Sequence, residues 1–323
     1  MKKKLFSLAL ALALCLGLTV PAFAAELKII EVPVPTVEEY EGKNYSTMEF
    51  HEGLSKLYVS EGSSTTAGFI DKTGKVVIPA KYSNAGDFSE GFAFVAKNGK
   101  LGFIDKTGKE ITPFQYDSTL GFHGGFAAVV KNGKAGFIDK TGKEVISFAY
   151  DDTKGFYDGL AAVKKSGKWG FIDKTGEEAI PFQYDEATSF FEGLAGVKKG
   201  GKWGFIDKTG EAVIDFQYDD AGTFAYGLAT VRQGGRYGYI DKTGEIVIPC
   251  QYDVAGYFSD GLAMVAQNGK FGYIDTTGKT IVPLKYTNAA PFSEGFAAVY
   301  AYLGGDDGNW GFIDTTGKEV VEP

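Results

Sequence analysis

The feature that most constrains the fold is a repeat of fixed length. Glycine precedes Phe-Ile-Asp or Tyr-Ile-Asp eight times, at spacings of 34 residues six times and then 39, at Gly68, Gly102, Gly136, Gly170, Gly204, Gly238, Gly272 and Gly311. A period of this size is typical of a repeat array, in which each unit is one supersecondary element. The longer last interval contains the Gly/Asp-rich stretch 301–309, which we expect to be an insertion at a hairpin tip.

Two further marks recur with nearly the same period. One is Phe-x-x-Gly followed by Leu or Phe, which begins at Phe50, Phe88, Phe122, Phe156, Phe190, Phe224, Phe258 and Phe292. The other is a tyrosine, at Tyr82, Tyr116, Tyr150, Tyr184, Tyr218, Tyr252 and Tyr286. The marks define eight units, and the first and last are imperfect. Terminal repeats are expected to be atypical because they have one neighbour fewer.

Each unit is predicted to contain three antiparallel strands. In the unit at 159–185, the pattern predicts strands from Leu160 to Lys164, from Lys168 to Asp173 and from Glu178 to Ile180 or beyond. The links are short and rich in turn residues, which imposes antiparallel pairing. The strongest hairpin signals are the Asn-Gly pairs, since both residues tolerate a positive φ. They stand at 98–99, 132–133 and 268–269.

The sequence Asp-Lys-Thr-Gly occurs six times, beginning at Asp71, Asp105, Asp139, Asp173, Asp207 and Asp241, and Asp-Thr-Thr-Gly begins at Asp275 and Asp314. The tetrapeptide resembles the start of the phosphorylation motif of ion pumps. A phosphorylated aspartate is needed only once, however, and the fifth residue is never the Thr of that motif. We therefore predict a turn between the second and third strands, in which Asp accepts backbone amides and Gly has a positive φ.

Side-chain alternation predicts which faces are buried. In the first predicted strand, Ala and Val two residues apart share a face in seven of the eight units, as at Ala161 and Val163. A small residue at the same place in every interior unit predicts a crowded face against a neighbouring sheet. In the second strand, Gly170 and Ile172 share one face while Trp169 and Phe171 share the other. Both faces of that strand are expected to be at least partly covered.

Two architectures satisfy the repeat, a closed β-propeller of seven or eight small blades and an open β-solenoid. The small inner residues favour the propeller. So does the stretch 27–34, which resembles a third strand with no unit before it and would close a ring by pairing with the last unit. Three strands per 34 residues count against a propeller blade. Residues 35–49 are polar and contain Pro and Gly, so they are predicted to form a loop between this strand and the array at 50–323.

Two stretches, KWGFIDKTGEEAIPFQYDEATSFFEGLAGV (168–197) and KWGFIDKTGEAVIDFQYDDAGTFAYGLATV (202–231), resemble the bacterial WG-repeat family, also called KWG. The resemblance covers about 50–323. Trp precedes the repeated Gly only at Trp169, Trp203 and Trp310, so this position is interpreted as a packing position. The resemblance implies an exported bacterial surface or envelope protein, and no enzymatic activity is generally attached to the repeat.

The first 24 residues predict export. Lys2, Lys3 and Lys4 precede an apolar run, and the small residues around Ala24 predict signal-peptide cleavage after it. The mature chain then has one cysteine, Cys250, so it cannot form an internal disulfide. Removing the three lysines changes the formal net charge from −8 to −11. An acidic chain disfavours nucleic acid and anionic lipid as partners, and no later stretch is apolar enough to span a membrane.

Reactive groups are scarce. His51 and His123, the only histidines, each follow the Phe of a Phe-x-x-Gly mark and are not expected to meet, while a metal site needs several converging ligands. Cys250 takes a place where other units have Phe, Leu or Ala, so it is expected to be a core residue. We predict no catalytic residues, no metal site and no cofactor.

The strongest candidate sites are carboxylates and aromatic rings. Five aspartates that follow the repeated tyrosine predict an acidic rim, at Asp117, Asp151, Asp185, Asp219 and Asp253. Such a rim can bind calcium, and the alternative is that each Asp caps turn amides. Exposed aromatic residues can stack on sugar rings, and Trp169, Trp203 and Trp310 are the candidates for this role.

The leading functional hypothesis is an exported, non-catalytic binding or scaffold protein that uses a repeat-built surface to bind a protein or a cell-wall polymer. A glycan-binding, lectin-like module is a special case of this hypothesis. The alternative from another class is a hydrolase with a site on the rim.

Overall fold

Every element that the structure describes is a β-strand. The computed structural model describes residues 44–293, 295–302 and 308–321, which contain 31 strands and no helix. The strands form eight antiparallel sheets, seven of four strands and one of three. Contacts divide the chain into two compact units, one ending at Ala149 and one beginning at Tyr150. The predicted all-β tandem array is therefore confirmed.

The first unit contains sheets 1 to 3. Their strands are β1 (Asn44–His51), β2 (Leu54–Glu61), β3 (Ser64–Asp71) and β4 (Val76–Tyr82); β5 (Asn84–Ala85), β6 (Phe92–Lys97) and β7 (Lys100–Asp105); β8 (Ser118–His123), β9 (Phe126–Lys131), β10 (Lys134–Asp139) and β11 (Glu144–Tyr150). The boundary with the second unit falls at the last residue of β11.

The second unit contains sheets 4 to 8. Their strands are β12 (Asp152–Tyr157), β13 (Leu160–Lys165), β14 (Lys168–Ile172) and β15 (Glu178–Tyr184); β16 (Glu186–Ala187), β17 (Ala195–Lys199), β18 (Lys202–Ile206) and β19 (Ala212–Tyr218); β20 (Asp220–Ala225), β21 (Leu228–Gln233), β22 (Arg236–Asp241) and β23 (Ile246–Tyr252); β24 (Val254–Ser259), β25 (Leu262–Gln267), β26 (Lys270–Asp275) and β27 (Thr280–Tyr286); β28 (Asn288–Ala289), β29 (Phe296–Tyr302), β30 (Gly308–Asp314) and β31 (Glu319–Val321).

The prediction of three strands per repeat was wrong, because most sheets have a further strand before the Phe-x-x-Gly mark. In sheet 4 this first strand is β12, which pairs with β13 but shifts register between Thr153 and Phe156. A bulge bends the strand at that point, with Gly155 at a φ of 80°. In sheets 2, 5 and 8 the first strand is only two residues long. Neither form produces the period-2 alternation by which a strand is recognised in sequence.

The predicted loop over 35–49 was wrong at its C-terminal end. Strand β1 begins at Asn44 and pairs with β2, starting with Asn44 opposite Ser60. Pairing with β2 overrides the polar composition that had indicated a loop. The signal peptide, the strand predicted over 27–34 and residues 35–43 lie outside the described residues. The predicted insertion lies between β29 and β30, and residues 303–307 of it also lie outside the described residues.

Sheet 2 lacks the fourth strand that the other sheets have. Residues 110–116 form only isolated bridges, Ile104 with Glu110 and Leu101 with Tyr116. Thr112 stands where other sheets have Ile or Val and is 3% exposed. Its hydroxyl accepts a hydrogen bond from the Phe103 amide at 2.9 Å. This side-chain bond serves a backbone donor that regular strand pairing would otherwise satisfy.

The faces predicted from alternation are confirmed. The Ala and Val of the strand that follows each Phe-x-x-Gly mark are at most 2% exposed, from Ala93 and Val95 to Ala297 and Val299. Ile172 and Phe171 point to opposite faces of β14, and both are buried. Both faces of β14 are therefore covered, as the alternation predicted.

Aromatic pairs join consecutive sheets. In six of the Phe-x-x-Gly marks the Phe packs against the aromatic residue of the preceding Phe/Tyr-Ile-Asp, as in Phe171 with Phe190 at 4.8 Å between ring centroids. The same pair recurs at 4.7–5.0 Å as Phe69 with Phe88, Phe103 with Phe122, Phe205 with Phe224, Tyr239 with Phe258 and Tyr273 with Phe292. Such a pair contributes about 0.5–1.5 kcal/mol beyond its buried area. A single repeat has no partner for these rings.

The glycine before Phe/Tyr-Ile-Asp is required by close backbone approach. A Cβ on Gly170 would lie 2.7 Å from the carbonyl oxygen of Ile180 and 3.0 Å from Cα of Phe182. The fourth strand bulges over this glycine, and the register shifts between Trp169 and Phe171. A side chain at the repeated Gly would thus clash with the backbone of the last strand.

Candidate functional site

Each sheet presents two ends, and the repeated polar residues lie at one or the other. The turn formed by Phe-x-x-Gly (the FxxG turn) and the Asp-Lys/Thr-Thr-Gly turn (the DxTG turn) lie at one end, which we call the FxxG end. The hairpin between the second and third strands and the connection to the next sheet lie at the opposite end, the hairpin end.

The DxTG turn has the geometry predicted from its sequence. The carboxylate Oδ1 of Asp173 accepts hydrogen bonds from the Thr175 amide at 2.8 Å, the Thr175 hydroxyl at 2.6 Å and the Glu177 amide at 3.0 Å. The Gly176 amide donates to the Asp173 carbonyl at 3.0 Å, and Gly176 has a φ of 88°. One aspartate oxygen therefore serves three donors inside its own turn. The carboxylate therefore has a structural role in the turn, and the arrangement does not resemble a site at which an aspartate is phosphorylated.

The same hydrogen bonds hold the carboxylate in its ionised form. The Thr175 hydroxyl, followed by the backbone amides, holds the pKa of Asp173 below its ordinary value of 3.8. The pKa is lowered in the same way in the turns that begin at Asp71, Asp105, Asp139, Asp207, Asp241 and Asp275. At Asp314 burial raises the pKa, but the Thr316 hydroxyl and the backbone amides outweigh it and the net shift is downward.

A second set of carboxylates at the FxxG end links neighbouring sheets. Glu192, in the FxxG turn of sheet 5, accepts a hydrogen bond from the amide of Gly227 in sheet 6 at 3.1 Å. It also lies 3.1 Å from Nζ of Lys242 in the DxTG turn of sheet 6. We call this arrangement a strap. The contacts join residues 35 and 50 positions apart, so local pattern reading missed them.

The strap recurs with variations. Glu52 contacts the Gly91 amide and Lys106, and Glu90 contacts the Gly125 amide and Lys140. Two aspartates accept the equivalent hydrogen bond from a backbone amide, Asp158 from Gly193 at 2.9 Å and Asp260 from Gly295 at 2.7 Å. The strap was in principle detectable by comparing the copies, because an acidic residue fills the third place of most Phe-x-x-Gly marks.

The carboxylate is missing at one FxxG turn of the second unit. Tyr226 stands where Glu192 stands one repeat earlier, and Thr276 stands where Lys242 stands. Both charges of the strap are thus replaced together. The Tyr226 side chain is 55% exposed.

At the hairpin end, each aspartate of the predicted acidic rim has a partner. Asp185 is 2.6 Å from Nζ of Lys168 and accepts a hydrogen bond from the Gly200 amide at 3.0 Å. The remaining partners are Lys100 and the Gly133 amide for Asp117, the Gly167 amide for Asp151, Lys202 for Asp219, and Arg236 and the Asn268 amide for Asp253. The ion pairs hold the pKa of Asp117, Asp185 and Asp219 below the ordinary value.

The rim therefore has the turn-capping geometry that was the alternative to calcium binding. Among residues 44–293, 295–302 and 308–321, no three His, Cys, Asp or Glu side chains come close enough together to hold a metal ion. His51 lies 3.8 Å from Asp87 and is 44% exposed. Cys250 is partly buried beside the core of sheet 6, and burial raises the pKa of its thiol, which keeps it in the unreactive protonated form.

Comparison with known families identifies the repeat. A family model described as "WG containing repeat" matches residues 68–100, 102–134, 136–169, 169–203, 203–237, 237–271, 271–300 and 310–323. The chain belongs to the WG repeat family. A comparison with curated proteins found no match. Within the described residues, no helix has the length and apolarity needed to cross a bilayer.

Solved structures are similar to this WG repeat chain only at low identity. Tricorn protease is 14% identical over 86% of this chain with a TM-score of 0.31, and the chain spans 35% of that protein's length. KlHsv2 with loop 6CD replaced by a Gly-Ser linker is 9% identical, with coverage of 84% and 98% and a TM-score of 0.43. The dihydro-heme d1 dehydrogenase NirN is 12% identical, with coverage of 82% and 72% and a TM-score of 0.47.

The tryptophans that give the WG repeat its name differ in environment. Trp169 and Trp203 are only 5% and 7% exposed. The Nζ of Lys154 lies over the Trp169 ring, 5.4 Å from its centroid, and the Nζ of Lys198 lies over the Trp203 ring, 6.0 Å from its centroid. These two rings have no free face for a ligand. Trp310 is 48% exposed and contacts Tyr300. The stacking prediction is therefore limited to Trp310.

Exposed aromatic residues also occur at positions that the WG repeat does not keep constant. Tyr226 lies in the FxxG turn of sheet 6, and Tyr257, 56% exposed, lies in β24 immediately before Phe258. Other copies have Ser189 or Thr223 in place of Tyr257. Strands β20 and β24 contact each other, and both tyrosines lie towards the FxxG end. Neither tyrosine is part of the repeated framework.

Proposed function

We propose that this WG repeat protein is an exported, non-catalytic binding protein of the bacterial cell envelope or exterior. The observation that supports the proposal is how the recurring polar residues are used. The DxTG aspartates bind their own turns, the strap carboxylates bind the next sheet, and the rim aspartates bind a cation or a turn amide. A glycoside hydrolase needs a pair of carboxylates in two unequal environments, and groups repeated in equivalent environments do not supply them.

The proposed binding surface in the second unit is centred on Tyr226 and Tyr257. Tyrosine offers an apolar ring and a hydroxyl at a small cost in side-chain entropy, which suits it to recognition. Both rings are more than half exposed, and neither belongs to the repeated framework. Repeat proteins commonly bind partners through residues that vary over a constant scaffold, since the scaffold fixes their spacing.

The partner that we propose is a protein or an uncharged part of a cell-wall glycan. The formal charge of −11 after removal of Lys2, Lys3 and Lys4 disfavours strongly anionic polymers. A tyrosine ring has an apolar face that can pack on a sugar ring or on an apolar side chain. Export itself is proposed from the leader sequence at 1–24.

The proposal is tested by pull-down of the purified chain, from Ala25 onward, on purified peptidoglycan and on whole cells. Matched variants take residues from the chain's own copies, Tyr226→Glu from Glu192 and Tyr257→Ser from Ser189. We expect both to keep the fold and to lose binding. Val213→Ala, which changes an exposed apolar residue of β19, serves as the control.

Unchanged binding by both tyrosine variants would refute the proposed surface. Robust hydrolase activity of the purified chain that a single substitution abolishes would refute the non-catalytic role. Protein that binds whole cells but stays in solution with peptidoglycan would favour a protein partner over a glycan.

A further inference from the structure

Most last strands of the sheets, which we call the outer strands, contain a residue that opposes pairing with a further strand, and one outer strand lacks such a residue. The last strand of a sheet has one unpaired side, which is a template for another strand. Proline at the fourth residue from the turn removes a backbone donor and blocks such pairing. It is present as Pro79 in β4, Pro181 in β15, Pro249 in β23 and Pro283 in β27.

Two outer strands have no proline at this place. In β19 it is replaced by Asp215, an exposed charge that also opposes pairing. In β11 it is replaced by Ser147, which is exposed and uncharged. Residues 110–116 contain Pro113 and form no strand. Among the outer strands of the described residues that span this position, β11 alone has neither proline nor charge there.

The backbone geometry makes the Ser147 amide available for pairing. A Cβ on Gly136 would lie 2.8 Å from the carbonyl oxygen of Ile146, so this carbonyl points into the sheet towards β10. The chain has no cis peptide bond among the described residues. In a trans peptide the carbonyl and the following N–H point in opposite directions. The Ser147 N–H therefore points away from the sheet.

We propose that β11 pairs antiparallel with β11 of a second copy of this chain, with Ser147 opposite Ser147. This register places Glu144 opposite Tyr150 and Val145 opposite Ala149 of the other copy, so no like charges face each other. The same register in β19 would place Asp215 opposite Asp215, which is unfavourable. The two-fold arrangement is closed, because the same strand is used by both copies.

A second copy is also the partner against which the other outer strands are protected. The proline or aspartate at the equivalent position of five strands opposes pairing with any strand, including the same strand of a second copy. Two paired strands of seven residues form a smaller contact than a standard stable interface of roughly 1,200–2,000 Å². The dimer is accordingly weak and depends on protein concentration.

The test is sedimentation velocity over a wide range of protein concentrations. Wild type is expected to shift from monomer to dimer as concentration rises. Ser147→Pro should weaken the association at least about tenfold, since it removes two backbone hydrogen bonds, one donated by each copy, and adds a steric clash. Ser147→Ala keeps the amide and should associate like wild type. Far-UV circular dichroism and thermal unfolding check the fold of Ser147→Pro.

A gain-of-function variant keeps the proposal testable if Ser147→Pro does not fold. Pro181→Ser exposes an amide in β15, so this chain should form larger species than wild type at the same concentration. A single monomeric boundary for wild type at the highest concentrations would overturn the proposal. So would equal association of wild type and a folded Ser147→Pro, which would place the contact on another surface.

Discussion

At the scale of single residues, the aspartate and glycine of the DxTG turn have separate tasks. The Asp carboxylate gathers the donors of the corner, and the glycine takes a backbone conformation that other residues rarely adopt. Both tasks follow from turn chemistry, which is why the sequence was sufficient to predict them. The same turn chemistry recurs in the turns that begin at each of the eight aspartates.

Gly176→Ala should destabilise the protein by about 1 kcal/mol or more, because the φ of 88° is strained for alanine. The measurement is urea-induced unfolding. Gly256→Ala is the matched control, since its φ is not positive and a Cβ there would meet its nearest neighbour, the Met264 carbonyl, at an ordinary 3.6 Å. Equal stability of the two variants would mean that the turn tolerates a side chain at Gly176.

The lowered pKa of the DxTG aspartates predicts loss of stability in acid. A carboxyl group whose pKa is lower in the folded chain stabilises it fully above the unfolded pKa of 3.8. This contribution is lost as the pH falls below 3.8 through the folded pKa, because the unfolded chain binds more protons. The free energy of unfolding should therefore fall as the pH decreases below 3.8.

The acid dependence is measured by urea unfolding at a series of pH values. Asp173→Asn removes one titrating group but keeps a side-chain oxygen at the corner, so its slope against pH should be shallower than that of wild type. A slope that is the same in both proteins would show that Asp173 titrates alike in the folded and unfolded chain.

At the scale of elements, the sequence predicted the second, third and fourth strands of the sheets and missed the first. Strands β13 and β14 are joined by a recognisable Ser-Gly turn, whereas β12 contains a bulge and β16 has only two residues. The straps were also missed, because their partners are 35 or more positions apart. Local periodicity reports the faces of a strand and not the contacts between sheets.

The strap predicts a measurable coupling between Glu192 and Lys242. A double-mutant cycle with Glu192→Gln and Lys242→Met should give about 0.2–1 kcal/mol, the range for exposed ion pairs, measured by urea unfolding at low salt. Tyr226→Glu combined with Thr276→Lys should install a strap of similar strength between sheets 6 and 7. Zero coupling in both cycles would mean that the ion pair of the strap contributes nothing to stability and that only the hydrogen bond from the backbone amide stabilises the fold.

At the scale of the whole molecule, ring closure stays a prediction from the sequence. Four strands per sheet, in place of the three predicted, remove the shortage of strands that counted against a propeller, since propeller blades have four. Small-angle scattering of the chain from Ala25 should give a radius of gyration near about 19 Å if it closes compactly. An open stack of eight sheets at about 10 Å spacing would extend for about 80 Å and give a clearly larger value.

The candidate functional residues were only partly predictable from the sequence. The acidic rim was found from the sequence, but its cationic partners, such as Lys168 for Asp185, depend on which hairpin faces which connection. The burial of Trp169 and Trp203 depends on contacts between sheets. Tyr226 and Tyr257 became candidates only when their exposure was known, since aromatic residues of this array are mostly in the core.

The central claim is that repeated residues hold the framework and non-repeated exposed residues bind the partner. One pull-down on whole cells and peptidoglycan tests both halves, by comparing Asp185→Asn, a recurring rim aspartate, with Tyr257→Ser, a non-recurring residue. The account predicts that folded Asp185→Asn binds like wild type and that folded Tyr257→Ser loses binding. Loss of binding by Asp185→Asn with full binding by Tyr257→Ser would contradict it.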